Sequence, residues 1–263
     1  MGDAESFTIF DDVFVSRERV FMDGKGDPRQ TAFAGFLALL FAHYHRHSYT
    51  GCKPAVSEVL ASAAALVAEY SGIEKEDHAR DKISHLIGTA ELVFAAGQMS
   101  AYRAERSESG TWIPDEVLTN AGRRLCRRGH FTMSTKLWLI LLEVCVLPCP
   151  FEEEFFSKEV GELANKYIMR NPEISAENQH RCFRGLENLI VGDLAGVMQV
   201  AGLHGGGSPQ METISMMARY DTESLKSISK YLFGIEKQLP RYERQTVTPR
   251  KQLERFRKMY GNK

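Results

Sequence analysis

The sequence predicts an all-α helical bundle with one short β strand at its start. Three observations predict it. Near the start, SFTIFDDVFV alternates in Phe, Val, Ile and Thr, a pattern that suits a strand. From about Thr31 onward apolar residues recur at three- and four-residue steps instead. Pro, Gly and Asp then punctuate the chain at intervals that suit helix starts and stops.

After the strand-like segment, FMDGKGDPRQ reads as a loop. Phe33, Phe36, Leu37, Leu40, Phe41 and Tyr44 share one face of a first helix. A second helix is expected over Pro54 to Tyr70, stopped at Gly72. A long third starts near Asp77, with Ile83, Leu86, Ile87, Ala90 and Phe94 as its stripe. SESGTWIPD reads as a turn, and PDEVLTNAGRRLCRRG as a helix with Pro114 near its first turn. TKLWLILLEVCVL reads as an apolar helix closed by Pro148 and Pro150, and FEEEFFSKEVGELANKYI as an amphipathic one. After NPEIS a helix is expected to about Val200, with Phe183, Leu186, Ile190, Leu194 and Val197 inward. GLHGGGSP breaks it, and two shorter helices follow, the last capped by Asp221.

This gives three segments: 1–28, a remnant of a β domain with its linker; 29–239, the helical domain; and 240–263, a basic, mobile tail. A lone strand cannot satisfy its own backbone hydrogen bonds, so its partner strands are expected outside this chain.

Composition narrows the function classes. The formal net charge of the 263 residues is -1, with 43% hydrophobic and 25% charged residues. No overall positive field favours nucleic acid or an anionic membrane. No apolar run is read as a bilayer span. Five cysteines at irregular spacing, behind a polar, acidic start, suit a reducing, cytoplasmic setting.

The run HYHRHSYTGCK, His43 to Lys53, carries the chemistry. In a helix, His45, Tyr49 and Cys52 fall at i, i+4 and i+7 on one face. Imidazole and thiolate both bind iron and zinc. A phenol donates a proton or a hydrogen bond. Lys53 beside the thiol favours thiolate. Spacing alone is equally served by a set of ordinary histidines near a helix end, because two ligands do not complete a four-ligand site.

YHRHSYTGCK resembles a segment of the 4-hydroxybutyryl-CoA dehydratase/vinylacetyl-CoA isomerase family. The resemblance continues through IFDDVFVSRERVF, VSEVLASAAALVAEYSGIEKEDHARDKI, LENLIVGD and HGGGSPQ, in effect along the whole chain. It implies an acyl-CoA dehydrogenase-like C-terminal helical bundle. It also implies that His45 and Cys52 are two of four ligands to a [4Fe–4S] cluster, the other two being cysteines of an N-terminal half. Tyr49 and Lys53 then line the substrate and flavin cleft, and Glu5 matches an active-site glutamate. In HGGGSPQ, adjacent glycines admit a ligand close to the backbone. Read by itself the loop is a helix–helix turn; the resemblance implies FAD contact at His204, Gly205, Gly207 and Ser208.

The implied enzyme binds FAD and the cluster, acts on an acyl-CoA, and assembles as a homotetramer. This chain alone is expected to hold neither cofactor stably. Two departures stand out. Ala201 occupies a position where the family carries a proton-transferring glutamate, and alanine has no titratable proton. His47 replaces a glutamine. Cys126, Cys145, Cys149 and Cys182 read as small buried hydrophobes or incidental thiols rather than substitute ligands. Two other readings remain at this stage. One is the helical domain of a 4-hydroxyphenylacetate 3-hydroxylase-like flavin monooxygenase; the other is a non-catalytic assembly subunit or degenerate fragment.

Overall fold

The computed structural model describes residues 7–23, 28–128, 152–190, 192, 195, 207–238 and 240. It is built almost wholly of helices: α1 Pro28–Tyr70, α2 Asp77–Tyr102, α3 at 116–128, α4 Glu152–Phe155, α5 Gly161–Ile168, α6 Ala176–Ile190, α7 Pro209–Arg219 and α8 Thr222–Leu232. A two-residue antiparallel ladder, β1 Glu105–Arg106 with β2 Trp112–Ile113, joins α2 to α3. The TKLWLILLEVCVL helix, the end of the expected helix beyond 195, and the tail after 240 lie outside the described residues.

The chain forms two compact units. One contains 51–94 and 125–204; the other contains 4–50, 95–124 and 205–263. In the first, Leu60, Ala61, Ala64 and Val67 of α1, Leu86 of α2, and Phe183, Leu186 and Ile190 of α6 form an apolar core. Leu86 and Val67 are fully buried. Each such side chain contributes roughly 1.5–3 kcal/mol relative to exposure. Asn171 ties the loop before α6 to α1, its Nδ2 donating to the Glu69 carbonyl at 3.1 Å.

The second unit is different in kind. Its interior is polar as well as apolar: His43, Arg46, Thr50, Ser100, Thr119, Asn120, Arg123, Glu212, Ser215 and Arg219 are all buried. Ser100 Oγ lies 2.7 Å from Thr119 Oγ1 and donates to the Asp115 carbonyl at 2.8 Å, docking α3 on the end of α2. Asp115 also caps α3, its carboxylate accepting from Leu118 N at 2.8 Å. Pro114 therefore stands just before the cap, near the first turn as expected.

Four expectations need correction. The two helices expected on either side of the His–Cys run are one helix of 43 residues, and Pro54 lies inside it. A proline lacks the N–H for one ladder bond but does not by itself end a helix that is packed on both sides of the gap. On the α1 stripe, Phe33, Leu37 and Phe41 are 42%, 58% and 70% exposed, so that face looks out and the polar face looks in. On α2 the inward line runs Ala79, Leu86, Ala90, Val93 and Ser100, leaving Ile87 and Phe94 outside. Among the described residues 7–15 carry no ladder, as the expectation of partner strands outside this chain allows, and Phe7, Phe10 and Phe14 are 91%, 80% and 90% exposed. The amphipathic helix after Pro150 also divides, into α4 and α5, at a turn where Ser157 Oγ accepts from Glu159 N at 3.2 Å.

By length and composition α1 meets the threshold for a bilayer span, with a mean hydropathy of 1.2 in its best window. The continuity across Pro54 is what the shorter runs read from sequence did not reveal. Buried His43, Arg46 and Thr50 on its inner face give it the pattern of a core helix.

Candidate functional site

His45, Tyr49, Cys52 and Lys53 all lie on α1, so its register fixes their order. Positions i, i+4 and i+7 return to one side of a helix, and seven residues rise about 10.5 Å. His45 is half-buried, Tyr49 buried, Cys52 exposed and Lys53 half-buried. The Tyr49 ring lies 5.0 Å from that of His45, tilted by 46°, and Phe41 lies 6.0 Å beyond. Among the described residues no three His, Cys, Asp or Glu side chains gather as a metal site. The imidazole and thiol are two potential donors on one helix.

Tyr49 belongs to a buried charged network that sequence reasoning missed. The Arg123 guanidinium lies over its ring, 4.4 Å from the centroid. Arg123 Nε faces Glu212 Oε1 at 3.8 Å, and both side chains are 1% exposed. Arg46 Nη1 donates to Asn120 Oδ1 at 3.0 Å and to Ser215 Oγ at 3.4 Å. Arg219 Nε donates to Glu116 Oε2 at 2.6 Å. Arg124 Nη1 donates to Thr213 Oγ1 at 2.8 Å. The network therefore ties α1, α3 and α7 together within one unit. Burial pushes the Arg46 guanidinium below its usual range, while the Glu212 and Glu116 carboxylates pull it back up.

A signal for this network was present. Glu212, Ser215 and Arg219 recur at i, i+3 and i+7, and Asn120 and Arg123 at i and i+3. A polar stripe at helical spacing marks a solvated face in most helices, so the pattern by itself does not announce burial.

His43 and His47 flank His45. His43 Nε2 pairs with the Pro114 carbonyl at 2.8 Å, and burial holds its pKa below the ordinary value against that bond. His47 is also lowered by burial and, next, by His43.

Of the expected FAD-contacting loop, Gly207 and Ser208 are described; His204 and Gly205, like Glu5 and Ala201, lie outside the described residues. Gly207 adopts φ +90, and a Cβ there would come 3.2 Å from Arg46 Nη2. The turn therefore favours glycine, and a Cβ would also press on the arginine. Ser208 caps α7, its side chain accepting from Met211 N, and Pro209 opens the helix. The loop thus ends on a helix N-terminus with an arginine beneath it. Cys126 is buried and Cys182 half-buried against the apolar core; Cys145 and Cys149 are outside the described residues.

Comparison with known proteins shows what the chain is similar to. The chain is 29% identical over 243 residues to 4-hydroxybutyryl-CoA dehydratase/vinylacetyl-CoA-Delta-isomerase of Clostridium aminobutyricum, covering 89% of this chain and 48% of that protein. It is 31% identical over 124 residues to the 4-hydroxyphenylacetate 3-monooxygenase oxygenase component of Thermus thermophilus, covering 47% of this chain and 25% of that one. An oxygen-tolerant archaeal 4-hydroxybutyryl-CoA dehydratase from N. maritimus superposes with a TM-score of 0.70 at 30% identity, over 87% of this chain and 44% of its own. The oxygenase component HpaB of 4-hydroxyphenylacetate 3-monooxygenase, complexed with FAD and 4-hydroxyphenylacetate, has a TM-score of 0.63 at 20% identity, over 73% of this chain and 40% of its own, and shows the fold. The chain spans at most about half the length of these relatives. Residues 34–234 match the family model HpaB, 4-hydroxyphenylacetate 3-hydroxylase C terminal, and the chain belongs to that family.

Proposed function

We propose that this chain is the C-terminal portion of a flavin- and [4Fe–4S]-dependent enzyme of the 4-hydroxybutyryl-CoA dehydratase/vinylacetyl-CoA isomerase kind, working with an N-terminal half on a CoA thioester. The observation that carries the reading is the helical register that sets His45, Tyr49 and Cys52 on one side of α1, with Tyr49 held by the buried network. The likeness to the clostridial dehydratase over 89% of the chain supports the same choice.

In this reading His45 and Cys52 hold two corners of the cluster, and cysteines of the N-terminal half hold the others. The donor chemistry fits: imidazole and thiolate both ligate iron, and neither is sealed in the core. When bound, the cluster supplies a Lewis-acidic iron for the substrate oxygen and the flavin supplies electron transfer. Tyr49 directs its phenol hydroxyl at the substrate, and Lys53 offers a cation to the thioester or flavin. Glu5 is the surviving acid–base candidate. Gly207 and Ser208, with His204 and Gly205, contact the FAD through backbone N–H groups. The enzyme works in the cytoplasm as a homotetramer, and binds neither nucleic acid nor membrane.

Co-expression with the N-terminal half of a related dehydratase, followed by iron and flavin analysis, tests this. The paired protein is expected to be brown and to contain flavin, and His45→Ala or Cys52→Ala to drop its iron to background. The chain alone is expected to be colourless. A flavin-containing, iron-free pair that hydroxylates phenols would favour the monooxygenase-like reading, which the similarity to the Thermus oxygenase component supports.

A further inference from the structure

The unit that contains 51–94 and 125–204 encloses a cavity of about 510 Å³ between α4, α5 and α6. That is the size of a small-molecule site. None of its lining belongs to the His–Cys run or to the buried arginine network. Part of its wall is aromatic: Phe155 is buried, Phe156 is exposed, and the His180 ring lies 4.4 Å from that of Phe155. His180 is 7% exposed, and its Nδ1 is buried with no hydrogen-bond partner among the described residues. Burial holds its pKa below the ordinary value, so at neutral pH the ring brings a lone pair to the cavity rather than a charge.

The polar groups of the cavity point to one kind of ligand. Its arginines already have carboxylates: Arg181 meets Glu177 at 2.7 Å, and Arg184 meets Glu187 at 2.6 Å. Glu152 and Glu153 line the same space and make no ion pair among the described residues. Asn165 Nδ2 donates to the Phe155 and Gly161 carbonyls at 3.3 and 2.8 Å, which leaves its Oδ1 to accept. Glutamates at a helix start are ordinary by themselves. Beside a neutral, buried imidazole and phenylalanine rings they suit a cation with an apolar body. We propose that this cavity binds a small organic ammonium ion, its apolar body against Phe155 and Phe156 and its N–H groups toward Glu152 and Glu153. The cation carries N–H groups because the imidazole and amide acceptors reward a donor. The proposal uses neither the iron nor the flavin of the preceding reading.

The full chain is titrated with benzylamine at neutral pH, followed by calorimetry and by ligand-observed NMR. Saturable binding is expected. Benzyl alcohol has the same body without the charge and should bind about tenfold more weakly or worse, and benzoate not measurably. Glu152→Gln/Glu153→Gln changes exposed side chains that the fold tolerates, and should weaken benzylamine by about tenfold as well. Phe156→Ala should weaken it less. Glu91→Gln, an exposed acid of α2 outside the cavity, should leave it unchanged. Benzylamine without saturable binding in either measurement overturns the proposal. Benzoate bound as tightly as benzylamine overturns it too, and so does an affinity unmoved in the double variant. A paired enzyme that takes up no iron would sink the dehydratase reading and leave this one standing.

Discussion

Arg219 and Glu116 meet at 2.6 Å with side chains 6% and 10% exposed. Removing one partner strands the other charge in a poorly solvated place, which costs about 3–5 kcal/mol. Glu116→Ala is therefore expected to lower the midpoint of urea unfolding by that much, with Glu116→Ala/Arg219→Met recovering part of it. A loss under about 1 kcal/mol, the usual worth of an exposed pair, would show that water reaches the site. His180 makes a second residue-scale prediction. It is 7% exposed, against the Phe155 ring at 4.4 Å. Burial, and next the Arg184 charge, hold its pKa below the ordinary 6.5, while Glu152 works the other way. The unfolded chain thus takes up the proton first. The stabilisation is whole above about pH 6.5 and is lost as the pH falls from there toward the folded value. Thermal melts at about pH 7.5 and 5.5 are expected to show a larger drop for the native protein than for His180→Phe; equal drops would remove His180 from the account. None of the three residues was legible in the sequence as buried, because residue type does not say which side of a helix faces inward.

The ends of elements were legible where backbone chemistry decides them. Gly72 takes φ +70, and Ile73 N and Gly72 N donate to the Ala68 and Glu69 carbonyls, each at 2.9 Å. That is the paired bonding of a helix stop that glycine favours. Gly72→Ala is expected to cost about 1–2 kcal/mol in chemical denaturation, since Cβ resists the left-handed region; an unchanged midpoint would mean the stop is held by Ile73 alone. Asp221 likewise caps α8 as expected, accepting from Ser224 N. Where tertiary packing decides, the pattern failed. Pro54 looked like a helix start yet sits mid-helix, and an expected single helix opens at Ser157. Proline removes one donor, and whether the remaining bonds carry the helix through depends on neighbours that a local reading does not contain. The same holds for the α1 stripe, whose period was right and whose direction was not.

On the scale of the whole molecule, Phe33, Leu37 and Phe41 leave 42%, 58% and 70% of their surface exposed. Contiguous exposed apolar stripes of this kind mark association surfaces. Sedimentation velocity is expected to find species heavier than the 29.7 kDa chain, and Leu37→Glu/Phe41→Glu to reduce them. A single 29.7 kDa boundary at all concentrations would leave that face bare in solution. The all-helical class was readable from periodicity alone. Which stripe stays exposed was not, because a stripe that fills a core and a stripe that faces outward have the same spacing.

The exposed phenylalanines at positions 7, 10, 14 and 21 have a practical consequence. Solvatochromic dyes such as ANS brighten on accessible aromatic surface, the signature ordinarily used to diagnose a molten globule. This protein should brighten them while cold and fully folded. Dye-based melting curves will start from a high baseline and can even fall on heating, so its unfolding is better followed by circular dichroism or calorimetry.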